Sequence, residues 1–134
     1  MRLGQTRRMA TKRQHDQALA RVRKLCLALP EVIERPSHGS PAFFIKGKKT
    51  LCMFVDDHHG DGILGIWVPA FPGVQQELVD TEPDRFYRPP YVGPSGWIGV
   101  RLDREADWDE VDAILRDAYR KVAPKTLAKL LDAD

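Results

Sequence analysis

Three β-rich runs follow one another with only short polar turns between them, and this succession constrains the fold more than any other feature. Residues 42–46 and 50–55 are joined by Gly47-Lys48-Lys49, and the polar segment 56–62 leads into a third run, 63–68. Turns this short cannot carry the chain back for parallel pairing, so they predict an antiparallel meander. Residues 97–102 alternate cleanly and predict one later strand.

Helical periodicity brackets these runs. Ala18, Leu19, Val22, Leu25, Cys26 and Leu29 recur at intervals of three and four, predicting an amphipathic helix over 14–29 that Pro30 stops. Segment 31–41 reads as a polar loop, because Pro36 and Pro41 bias the residues before them toward extended backbone. A short helix is expected over 74–79 and a brief extended piece over 84–88. Asp107 suits the cap of a last long helix with the stripe Val111, Ile114, Leu115, Ala118, Tyr119 and Val122. Pro124 breaks it, and 126–131 supplies a final helical turn. The pattern predicts an α+β fold, a mainly antiparallel sheet (meander plus later strand) packed against N- and C-terminal helices. One domain is expected over 14–132, preceded by a flexible basic arm over 1–13.

A chain of 134 residues can bury a core without disulfides or metal. Cys26 and Cys52 sit in apolar surroundings and read as buried thiols of a reducing compartment. No apolar run is long enough for a membrane span, and the charged N-terminus does not resemble a secretory signal, so a cytoplasmic location is expected. The net charge is only +2, yet residues 1–24 carry eight Arg and Lys against Asp16 alone. Such asymmetry suits an arm that touches phosphates, although no aromatic residue interleaves it as a base-stacking platform would.

Chemistry-bearing patterns are sparse. Asp56, Asp57, His58, His59 and Asp61 offer metal-ligand types, but adjacent residues of extended chain point oppositely, so a polar turn is the better account. Ser37-His38-Gly39-Ser40 places hydroxyls beside an imidazole without an oxyanion hole or orienting partner, and Gly47-Lys48-Lys49-Thr50 lacks the upstream glycine of a phosphate loop. No catalytic set, metal site or cofactor is expected. Residues 86–102 form an apolar, Pro- and Gly-rich connection that must be held against a core, and Phe43, Phe44, Phe86, Tyr87, Arg88, Tyr91 and Trp97 are its candidate pocket residues. Gly99 leaves room for the Trp97 indole, so the 87–91 loop is expected to bury that ring.

Leu29-Pro30-Glu31, the run from Pro41 to Lys49, Arg85-Phe86, the run from Trp97 to Leu102 and Ala118-Tyr119-Arg120 together resemble the MmcQ/YjbR family over about residues 18–131. The resemblance implies a compact α+β fold likened to a double-wing DNA-binding motif. Where many members carry a polar, often basic stretch before the tryptophan, this chain has Tyr91-Val92-Gly93-Pro94-Ser95-Gly96.

Two functional readings follow, both non-enzymatic. In one, Lys46, Lys48 and Lys49 on the hairpin, with Arg7, Arg8, Lys12 and Arg13 on the arm, lie along the phosphates of DNA. In the other, the aromatic Pro/Gly loop serves a small ligand or a protein partner. A continuous basic face would favour the first, and a mixed face with an aromatic pocket the second.

Overall fold

The structure is a computed structural model that describes residues 10–132. Helix α1 spans Lys12–Leu27, then β1 (Val32–Ser37), β2 (Ser40–Ile45), β3 (Lys49–Asp56) and β4 (Leu64–Val68) follow. Helix α2 (Val74–Thr81), β5 (Phe86–Tyr87), β6 (Ile98–Arg101), α3 (Trp108–Val122) and the short α4 (Lys125–Ala128) complete the chain. The strands form one six-stranded sheet in the order β1-β2-β3-β4-β6-β5, antiparallel at every pairing. The predicted α+β architecture is therefore present, with β1 added where a loop was expected and the extended piece expected over 84–88 paired into the sheet as β5.

The added strands have physical reasons. Segment 31–41 is not a loop. Its residues 32–37 pair with 40–45 around His38 and Gly39, whose φ values of 52° and 81° give a two-residue turn with both centres left-handed. Pro36 is tolerated because β1 is an edge strand, where a missing N–H leaves no ladder bond unmade. Residues 86–87 form the opposite edge, two residues long.

One face of the sheet carries the core. Phe54, Ile66, Val100 and Phe86 stand in register across four neighbouring strands, each 2 % exposed or less. Val22 and Cys26 of α1 and Leu115, Ala118 and Tyr119 of α3 close over this face. Burying an apolar side chain of this size contributes about 1.5–3 kcal/mol. The Tyr119 hydroxyl donates to the Pro30 carbonyl at 2.7 Å, which ties the last long helix to the end of the first. A bulge at Leu51, between the pairs Phe43–Cys52 and Phe44–Thr50, turns both Leu51 and Cys52 inward. Cys26 and Cys52 are free, buried thiols, and burial pushes the Cys52 thiol well up.

Both long helices begin on side-chain caps. Thr11 and Gln14 form a reciprocal capping box at the start of α1, and Asp107 accepts from the amides of Asp109 and Glu110 at the start of α3. Lys12 and Arg13, read from sequence as the end of an arm, are instead the first turn of α1. The strong Gln14 pairing with Thr11 moved the boundary two residues earlier than the apolar stripe suggested.

Candidate functional site: a cleft on the open sheet face

Apolar residues from each of the four helices pack against the core. The other face is built by the alternate residues of the same strands. Across it Arg35, Ala42, Met53, Trp67, Gly99 and Tyr87 stand in one register row from edge to edge. Tyr87 lies directly over Gly99, where a side-chain carbon would come within 2.5–2.7 Å of three ring atoms. Its hydroxyl accepts a 2.9 Å hydrogen bond from Trp67 Nε1–H, which explains how an indole 2 % exposed keeps its donor satisfied. Burial pushes the Tyr87 phenol up to about 12, against the opposing pull of the Trp67 N–H.

Beside this row lies a cleft of about 660 Å³. Ala42, Met53, Val55 and Trp67 form its floor, and three loops form its walls: the β1–β2 turn with Ser37 and His38, the β3–β4 turn with His58 and His59, and Tyr91-Val92. The surface it presents is predominantly apolar, and no Asp, Glu, Lys or Arg among the described residues lines it. A volume in this range suits one small molecule.

The ring-bearing end of the cleft is tightly assembled. The His58 imidazole stands edge-on to Trp67 at 5.0 Å, to Tyr91 at 5.9 Å and to His59 at 4.2 Å. The expectation that His58 and His59 point apart fails here because the backbone is not extended. Asp57 and His59 are left-handed, with φ of 56° and 50°, and this folds the two imidazoles together. His38 and Tyr91 on the other two walls are left-handed as well, at 52° and 65°. Such conformations cost of order 1 kcal/mol each and persist only where surrounding contacts impose them. In the β3–β4 turn those contacts are the Gly62 amide donating to Asp57 Oδ1 at 2.7 Å and the Ile63 amide donating to Asp61 Oδ1 at 2.9 Å. His58 Nε2 is buried and has no hydrogen-bond partner among the described residues.

The sequence-nominated pocket residues do not come together here. Of that set only Tyr91, 71 % exposed, lines the cleft. Phe43 and Phe86 belong to the core, and Phe44 is buried on the open face with the Arg35 guanidinium 3.9 Å above its ring. Tyr87 supports the floor from behind Trp67, while the Arg88 stem packs on Gly93. Trp97 is half-buried, and its carbonyl accepts from Gln75 of α2 at 2.5 Å. The ring that occupies the space over Gly99 is Tyr87 and the buried indole beside it is Trp67, because β5 pairs with β6 at that position.

The basic residues are likewise divided. Lys46, Lys48 and Lys49 are exposed at the β2–β3 turn, and Arg35 donates to the Gly47 carbonyl beside them. Lys12 and Arg13 are exposed too, with Lys12 paired to Asp16. The first turn of α1 is fixed at the far end of β3, where His15 Nδ1 meets Asp56 Oδ2 at 2.6 Å. Eight residues of β3 at about 3.3 Å each separate that point from the lysine turn by roughly 23 Å. Arg7 and Arg8 lie outside the described residues.

An antiparallel sheet with helices on one side and a loop-walled cleft on the other defines an α+β architecture. The chain belongs to the YjbR family, whose family model matches residues 27–121. It is similar to the crystal structure of the Deinococcus radiodurans protein DR2400, described by the family-model domain DUF419, with a TM-score of 0.66 and 19 % identity. That likeness covers 87 % of this chain and 88 % of the other, and it concerns the fold. A comparison with curated proteins gives no match. No helix among the described residues is long and apolar enough to cross a membrane.

Proposed function

We propose that this protein is a small-molecule-binding domain whose site is the cleft on the open sheet face. The observation that carries the reading is a loop-walled, predominantly apolar cavity of about 660 Å³ on the open sheet face, lined by no Asp, Glu, Lys or Arg among the described residues. Exposed apolar concavity on a soluble domain is a characteristic of ligand sites. The floor is rigid, since it belongs to central strands, while the walls are loops that can differ without disturbing the core.

The lysine turn supports a second reading, contact with nucleic-acid phosphates. Its three exposed lysines lie near Arg35, but the first turn of α1 sits at the other end of β3, so the two basic groups do not make one surface. Phosphate binding here would be weak and strongly salt-dependent.

Nuclear magnetic resonance separates the readings on isotope-labelled protein. A panel of small neutral apolar molecules is expected to shift the Trp67 Nε1–H signal and the amides of Ala42, Val55 and Val92, leaving the lysine turn unmoved. A response confined to the lysine turn on adding short duplex DNA, lost with K46Q/K48Q/K49Q, and no cleft response to any small molecule, would overturn the ligand reading.

A further inference from the structure

The three features that set the chemistry of the cleft are a lining without Asp, Glu, Lys or Arg among the described residues, its rings at one end and one orphaned nitrogen. A ligand with a permanent charge would meet no Asp, Glu, Lys or Arg among the described residues lining the cleft, so a neutral occupant is desolvated there at the lowest cost. At the ring-bearing end, Trp67, His58, His59 and Tyr91 present edges and faces already arranged in mutual edge-to-face contact. Such a set favours another flat ring over an aliphatic body of equal size.

His58 Nε2 supplies the polar element. A buried side-chain nitrogen without a partner is destabilising, and native structures keep few of them without a reason. The turn that holds His58 is stiffened by its own Asx bonds and by left-handed residues on both sides, so the imidazole is held against Trp67 and cannot easily turn to solvent. Tyr91, 71 % exposed and edge-on to His58 at 5.9 Å, can shift aside at little cost to admit a partner to the imidazole.

Resting on the ligand reading above, we propose that the cleft takes a neutral, planar aromatic molecule bearing a hydroxyl, with the ring seated against Trp67 and Tyr91 and the hydroxyl hydrogen-bonded to His58 Nε2. A hydroxyl both donates and accepts, so it satisfies Nε2 in either tautomer of the imidazole.

Three probes of similar size test this: 2-naphthol, naphthalene, which lacks the hydroxyl, and decahydro-2-naphthol, which lacks the aromatic ring. Titrations followed at Trp67 Nε1–H are expected to show 2-naphthol binding at least about tenfold more tightly than either. H58F should erase the advantage over naphthalene and keep the advantage over decahydro-2-naphthol. H58A serves the same comparison if the phenyl ring is not accommodated. Equal binding of the two bicyclic alcohols in the cleft would overturn the aromatic class while leaving cleft binding intact. Equal binding of 2-naphthol and naphthalene, or an advantage that survives loss of the imidazole, would overturn the role of His58. No shift with any of the three would remove the ligand reading itself.

Discussion

Gly99→Ala is expected to destabilise the protein by about 3 kcal/mol, an unusually large loss for adding one methyl group. The new carbon would lie 2.5–2.7 Å from the Tyr87 ring, far inside contact distance, so the ring must leave the sheet. Overpacking of this kind costs roughly 1–3 kcal/mol. Moving Tyr87 also removes the acceptor of Trp67 Nε1–H, and a buried donor left unpaired adds about 1–3 kcal/mol. Urea denaturation should show the midpoint falling with little change in slope, while the Trp67 Nε1–H resonance moves markedly. A variant that melts like the parent would mean that Tyr87 is not seated over Gly99.

Alkaline pH provides the second large effect. The buried Tyr87 phenol holds its proton up to about 12, whereas a tyrosine of the unfolded chain releases it near 10. The folded state thus binds the proton more tightly, and the resulting stabilisation is complete below pH 10. It is lost as the pH rises from about 10 to 12, and amounts to about 3 kcal/mol. Tyr119 is raised in the same direction by its burial, so the parent curve alone does not isolate Tyr87. Tyr87→Phe does. At neutral pH it should be less stable than the parent by about 1–3 kcal/mol, since Trp67 loses its acceptor. The gap should then close between pH 10 and 12, where only the parent pays for ionising Tyr87. Parallel stability curves across that range would contradict the assignment.

The core face was readable because its signals are local. Ile98, Val100 and Leu102 alternate, the α3 stripe repeats at helical spacing, and Asp107 sits where a cap belongs. The edge strand β1 was not, since Glu34, Arg35 and Pro36 look like loop residues and only pairing with β2 makes them a strand. The open face was hidden for a different reason. Every residue of β4 from Leu64 to Val68 is buried, so the run shows no alternation and nothing marks Trp67 as facing away from the core. One clue was present: with Ile66 assigned inward, period-two geometry sends Trp67 outward, and a large indole on an outer face needs a cover. His58 depends on left-handed backbone at Asp57 and His59, which residue types of that kind permit but do not dictate. The separation of the first turn of α1 from the lysine turn depends on the direction in which α1 crosses the sheet, a tertiary fact carried by contacts such as His15 with Asp56 and Arg23 with Glu34.

The central claim, that the open face holds a ring-binding cleft, is tested most directly by intermolecular nuclear Overhauser effects from 2-naphthol in complex with the labelled protein. The account predicts contacts from the naphthol ring protons to the Met53 methyl group on the floor and to the Val92 methyls and the Tyr91 ring on the facing wall. Contacts only to residues of the helical side or of the lysine turn, with none to Met53 or Tyr91, would contradict it.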